Sequence, residues 1–260
     1  MYKILKYSFY DLMRSRWSYV YFIFYLLLGF ALLFLNHDLS KGVITMMNVI
    51  VVLVPLIGTI FGIMYYYNSR EFTELLLAQP IRRSSIFLGQ FLGVSVSLTL
   101  CLVLGLGIPY IAYGLFRSDA IWQFGMLILI GSFLTFIFTA LAFNIAIHNE
   151  NRIKGFGYAI LLWLFMAVIF DGLFLLALIT FEKYPLDNFS LIATFLNPID
   201  LSRILILLKL DISALLGYTG AVFKQFFGTQ LGFLSSLGSL LLWTILPVIL
   251  LVRSANKKDF

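Results

Sequence analysis

The chain has 260 residues, of which 62% are hydrophobic, 17% aromatic and only 12% charged, with a net charge of +6. A soluble domain carries about 25% charged residues, so the composition excludes an ordinary soluble fold and indicates a membrane protein of about six spans, with no room for a soluble catalytic domain. The basic residues gather at span ends, which excludes nucleic acid as partner, and the single cysteine, Cys101, excludes a disulfide framework or a cysteine metal site.

Residues 2–16 (YKILKYSFYDLMRSR) place Ile4, Leu5, Phe9, Leu12 and Met13 at a helical period, with Lys3, Lys6, Tyr10, Asp11 and Arg14 around the remaining circumference. This segment is too polar to span and is predicted to lie in the membrane interface. It serves either as a simple anchor or as an elbow helix packed beside a cytoplasmic partner. The run from Trp17 to Leu35 is long enough to span and lacks a small-residue cleavage pattern, so it is read as retained rather than as a signal peptide.

Apolar stretches are predicted at about 17–36, 43–66, 86–116, 121–147, 156–180 and 234–252. Pro55 and Gly58 predict a distortion in the second, and Gly105, Gly107 and Pro109 a bend in the third. Lys3, Lys6, Arg14, Arg16, Arg70, Arg82, Arg83, Arg152, Lys154, Arg253, Lys257 and Lys258 fall on one side, against Lys41 and Arg117 in the short opposite loops. The long 181–233 segment adds Lys183, Arg203, Lys209 and Lys224, but long loops weigh little. The positive-inside rule predicts cytoplasmic termini and a cytoplasmic loop between the second and third spans. Trp17, Tyr19, Tyr21, the Tyr65–Tyr67 run and Trp122 read as headgroup-level anchors on lipid.

In that loop, Asn68 or Ser69 is a candidate cap for a short helix over 69–79, with Glu71 and Glu74 near its positive end. Phe72, Leu75, Leu76 and Gln79 are predicted to form one mostly apolar face, with Arg70, Glu71, Thr73 and Glu74 largely away from it. Pro80 stops the helix, and Arg82 and Arg83 open the third span. The element reads as an interfacial turn or as a docking helix. Asp171 is the lone acid well inside a span. It binds a cation or proton, or pairs with a neighbouring helix, since a central carboxylate costs about 2.5–3.5 kcal/mol against lipid. Asn48 and Asn144 are read as interhelical hydrogen-bonding residues.

Within 181–233, Asn197-Pro198-Ile199-Asp200 signals a turn and helix start, with Asp200 the expected N-cap. Leu201, Ile204, Leu205, Leu208 and Ile212 then form an apolar stripe, opposed by Ser202, Arg203, Lys209 and Asp211. A surface-lying or partly re-entrant helix is predicted, acting as a lid or as the seat of an extracytoplasmic partner. There is no P-loop, no H-E-x-x-H and no Ser-His-Asp set. His37 and His148 stand at span ends, and Met46 and Met47 form no repeated methionine path, so no cofactor or metal is expected on this chain and it is not expected to be an enzyme.

This order of parts resembles the ABC-2 family of membrane permeases along essentially the whole chain, read as one permease domain over 1–260. The stretch E71-F-T-E-L-L-L-A-Q-P80-I-R-R-S-S-I-F-L-G-Q90 is similar to that family's acidic short helix, Leu-rich turn, proline and basic span start. The resemblance implies an all-α, six-span, type V exporter-like fold with an N-terminal interfacial helix. It also implies a coupling role for Phe72 to Gln79 and a homodimer. ATP and Mg would sit on a separate, NosF-like ATPase subunit. The N197-P-I-D-L-S-R-I204 run and the basic tail R253-S-A-N-K-K-D-F260 resemble the permeases of nitrous oxide reductase maturation systems. That likeness implies a periplasmic β-helix (NosD-like) protein on the outer face and a role in supplying a copper–sulfur centre. An exporter of a lipid or hydrophobic small molecule, and a membrane scaffold without energy coupling, are the other readings of the residues.

Overall fold

The computed structural model describes residues 1–36, 39–118, 120–181, 186–209 and 220–257, and of residues 208, 209, 221, 222 and 224 the backbone only. His37, Asp211, Ile212, Lys183 and Lys258, and the side chains of Leu208, Lys209 and Lys224, lie outside that description. The described residues are helical, with no strand. The helices are α1 (Tyr2–Arg14), α2 (Arg16–Asn36), α3 (Leu39–Asn68), α4 (Arg70–Leu77), α5 (Arg83–Ala112) and α6 (Ile121–His148). Beyond them in chain order come α7 (Arg152–Thr180), α8 (Asp187–Leu196), α9 (Pro198–Lys209), α10 (Gly220–Phe227) and α11 (Gln230–Lys257).

Six of these, α2, α3, α5, α6, α7 and α11, are long and apolar enough to cross a membrane. α3 and α5 each run 30 residues, about 45 Å at 1.5 Å per residue, so their polar ends pass beyond a hydrocarbon core of about 30 Å. Pro55 does not interrupt α3, nor Pro109 α5; each lies within one continuous helix. The interruption falls instead in α7, where Phe165–Ile169 forms a π-helical stretch.

α3, α5 and α6 make the core. In a bilayer the apolar surround offers no hydrophobic gain for helix pairing, so close backbone approach and interhelical hydrogen bonds hold the bundle. The Gly58–Gly62 pair of α3 lets it pack along α6: a Cβ on Gly62 would lie 3.0 Å from the Ala142 Cβ, and the Thr139 hydroxyl donates to the Gly58 carbonyl at 3.4 Å. α5 uses Gly93 in the same way against α1, and α1 buries Ile4, Ser8 and Leu12 on it. Trp163 of α7 donates to the Val52 carbonyl at 3.1 Å, and Asn144 of α6 to the Pro247 carbonyl of α11 at 2.7 Å. By contrast α7 and α11 turn most of their surface outward.

α8 and α9 meet at a bend of 114° and together are long and apolar enough for a broken span or a re-entrant loop. Of the two expected placements, surface-lying or partly re-entrant, the bent pair fits the second. Ile199, Leu201, Ser202, Ile204, Leu205, Ile206 and Leu207 are all buried, so the helix is apolar-buried on more than one stripe and wedges against α3, α6 and α11.

Candidate functional site

Two polar sites stand at opposite ends of the bundle. At the end carrying α1, the chain leaves α3 at Ser69 and turns at once into α4. The Ser69 carbonyl accepts both from the Thr73 amide at 2.9 Å and from the Thr73 hydroxyl at 2.8 Å. The expected side-chain cap is not formed: the Ser69 hydroxyl points back to the Tyr66 carbonyl at 3.4 Å.

The predicted apolar face of Phe72, Leu75, Leu76 and Gln79 is split between the inside and the outside of α4. Thr73 is the buried residue of the helix, flanked by half-buried Phe72, Leu76 and Leu77, whereas Leu75 is 68% exposed. Gln79 lies beyond the helix, in the exposed turn to Pro80. The physical reason is Gln90 of α5, fully buried and in need of a partner; its Nε2 donates to the Thr73 hydroxyl at 2.8 Å. A buried amide left unbonded is costly, and the pairing rotates α4 so that Thr73 faces inward. Phe72 stacks on Tyr7 of α1, with ring centroids 4.5 Å apart.

The outward face therefore consists of Arg70, Glu71, Glu74, Leu75 and Ala78. Arg70 and Glu74 form an i,i+4 ion pair at 3.0 Å, both side chains more than half exposed. Arg82 and Arg83 are exposed at the start of α5. α4 is thus tied to α5 and α1 by its inner face and presents a small anionic-apolar surface outward. Sequence reading missed Gln90 and Tyr7. The available signals were an amide in the first two turns of an otherwise apolar span, and a tyrosine on the polar side of α1.

At the other site the π-helical stretch of α7 leaves the Met166 carbonyl able to accept from Asn197 Nδ2 at 2.7 Å. Asn197, rather than Asp200, caps α9: its Oδ1 accepts from the Ile199 amide at 3.1 Å. The cause is Pro198, whose fixed φ and missing N–H suit the first helical position, so the cap falls on the residue before it. Asp200 sits in the first turn, accepting from Asn197 Nδ2 at 2.9 Å. Arg203, one turn on, donates through Nη1 to Asp171 Oδ2 of α7 at 2.7 Å and lies 3.5 Å from Asp200 Oδ1. Two carboxylates share one guanidinium, and Asn197, Asp200, Arg203 and Asp171 form one network that binds α9 to α7. Asn48 stands apart, exposed on α3 and without a hydrogen bond among the described residues, so its reading as an interhelical partner within the chain is corrected.

The bundle thus has six spans, a short helix between spans two and three, and a bent helical pair before span six. The family model described as ABC-2 family transporter protein matches residues 36–260. The chain belongs to the ABC-2 family. This ABC-2 chain is 28% identical over 137 residues to a Stutzerimonas stutzeri protein named "Probable ABC transporter permease protein NosY", covering 50% of this chain and 49% of that one. A Pseudomonas aeruginosa protein of the same name is 28% identical over 149 residues, 54% of this chain and 53% of its own. The aligned region thus spans about half the length of the curated relatives. The ABC-2 chain is a multi-pass membrane permease subunit of an ABC transporter.

Proposed function

We propose that α4 is the coupling helix of this permease, docking by its outward face of Glu71, Glu74 and Leu75 into a NosF-like ATPase subunit that carries ATP and Mg. The observation that carries this reading is the Gln90–Thr73 hydrogen bond. It fastens an otherwise exposed eight-residue helix to the first turns of a span, so a push on α4 is delivered to α5. α1 moves with them through the Tyr7–Phe72 stack. The positive-inside distribution supports a cytoplasmic position for this end, at the inner membrane.

The working unit is a homodimer with two ATPase subunits. Asn48, exposed within α3 and without a partner among the described residues, and the outward surface of α7 are the features that a second copy would cover. The α9 wedge is the far end of the path. Its polar tie to α7 is where motion of the spans would reach a NosD-like periplasmic protein during maturation of a copper–sulfur centre, as the resemblance to nitrous oxide reductase maturation permeases implies. Asp171, paired to Arg203, takes a structural part in that tie. Export of a lipid or hydrophobic small molecule through the dimer is the competing reading.

The test is co-expression of the chain with its neighbouring ATPase. E71A/L75A is expected to lose co-purification and ATPase stimulation while retaining its thermal stability. Unchanged association and stimulation would remove the assignment. Restoration of nitrous oxide reductase activity in a strain lacking the gene separates maturation from export.

A further inference from the structure

α1 exposes a cationic face whose lysines and arginine take no part in its packing on α5 or in the coupling of α4. Lys3, Lys6, Tyr7, Tyr10 and Arg14 line an open depression of about 410 Å³. At 100° per residue these five side chains fall within an arc of roughly 100°, turned away from Ile4, Ser8 and Leu12, which bury against α5. Among the described residues none of the three cations forms an ion pair. The one acid of the helix, Asp11, lines a second depression beside Tyr65 and Asn68, which Arg14 borders as well.

The start of α2 sets the height of this face along the bundle. α1 passes through Ser15 directly into α2, whose first turn exposes Arg16, Trp17 and Tyr19. Such rings prefer the headgroup layer, so the α1–α2 junction belongs at that level, with Arg14 and Arg16 within reach of lipid phosphates.

We propose that this face is a binding site for anionic phospholipid headgroups, of which phosphatidylglycerol is the probe. Lysine and arginine would hold the phosphates, and the Tyr7 and Tyr10 hydroxyls would donate to phosphate or glycerol oxygens with their rings in the interface. From Lys3 to Arg14 the cations spread over about 16 Å of helix, more than one inorganic phosphate bridges. Interleaved rings at headgroup level favour lipid over an acidic protein surface. Tyr7 also stacks on Phe72, so headgroup occupancy touches α4 directly. That corollary rests on α4 as coupling helix, whereas the binding itself does not.

The test uses the full-length chain in detergent, titrated with phosphatidylglycerol, phosphatidylcholine or inorganic phosphate and read by native mass spectrometry. Wild type is expected to retain phosphatidylglycerol in marked preference to phosphatidylcholine. K3Q/K6Q/R14Q is expected to lose that preference, at roughly fivefold per cation removed. K41Q/R117Q, which removes exposed cations elsewhere, is expected to keep it. Single K6Q and R14Q variants read the same loss should the triple variant misfold. Equal retention of both lipids by wild type, or an unaltered preference in the cation variants, would overturn the proposal. Displacement of phosphatidylglycerol by millimolar inorganic phosphate would reassign the face to a free anion and overturn it as well.

Discussion

Arg203 of the α9 wedge donates to Asp171 of α7 at 2.7 Å, and the same Nη1 lies 3.5 Å from Asp200. The three groups are unequal in consequence, because one cation serves two carboxylates. R203M leaves two facing acids without a counter-charge in a partly buried setting and is expected to cost about 2–4 kcal/mol. D171N leaves Arg203 with Asp200 and a neutral amide that still accepts, so its cost is expected to be under about half of that. Thermal unfolding of the purified variants measures the order. A D171N loss equal to that of R203M would show that the wedge is not held by a shared guanidinium.

The Gln90–Thr73 bond predicts a non-additive pair. T73V removes the acceptor and leaves the Gln90 amide buried without a partner, beside an Oε1 that already has none. The single change is expected to cost about 1–3 kcal/mol. Q90L in the T73V background replaces both groups by apolar ones and is expected to recover about 1 kcal/mol or more. A double-mutant cycle on unfolding midpoints reads the coupling. Additive losses would mean that the bond does not fasten α4.

The six spans and the two short helices flanking them are legible because their signals are local. Some 20 apolar residues mark a span whatever it packs against, and Asn197-Pro198 announces a helix start by backbone chemistry alone. The orientation of side chains around those helices is not local. In α4, Leu75, Leu76 and Leu77 are consecutive, so several apolar arcs are equally plausible from sequence, and Gln90, 17 residues after Thr73, decides between them. Asp171 and Arg203 stand 32 residues apart on elements joined by a sharp bend. No periodicity relates them; the π-helical stretch of α7 and the cap at Asn197 together bring α9 to its partner. The same reason hid the Asp200 role: a proline next to an asparagine shifts the cap by three positions, and only the hydrogen bonds reveal it.

Two glycines of α5 separate packing from propensity. A Cβ on Gly93 would fall 2.6 Å from the Ser8 Cβ and 3.0 Å from the Leu5 carbonyl oxygen and the Phe9 amide nitrogen, whereas one on Gly107 would meet nothing within 4 Å. Backbone cannot give way as a flexible side-chain tip does, so G93A is expected to displace α1 at a cost of about 1–3 kcal/mol. G107A is expected to be neutral or to gain up to about 1 kcal/mol from helix propensity. Limited proteolysis at the N-terminus and the unfolding midpoint check both. Equal behaviour of the two variants would remove α1–α5 packing as a feature of the protein in lipid.

The outward face of α4 makes the sharpest separation of stability from association. Phe72 packs on Tyr7, so F72A is expected to loosen α1 and to lower the unfolding midpoint as well as ATPase binding. Leu75 is 68% exposed, so L75E is expected to leave the midpoint unchanged. If Leu75 is buried in the ATPase as an interface anchor, its replacement by a charge should weaken association by about 2 kcal/mol, roughly thirtyfold. R70A breaks an exposed ion pair with Glu74 and is expected to change stability by less than about 0.5 kcal/mol. The measurement is ATPase binding to the permease in nanodiscs across the three variants, beside their midpoints. An L75E chain that unfolds early, or binds the ATPase as wild type does, would mean that the docking face lies elsewhere on this end of the bundle.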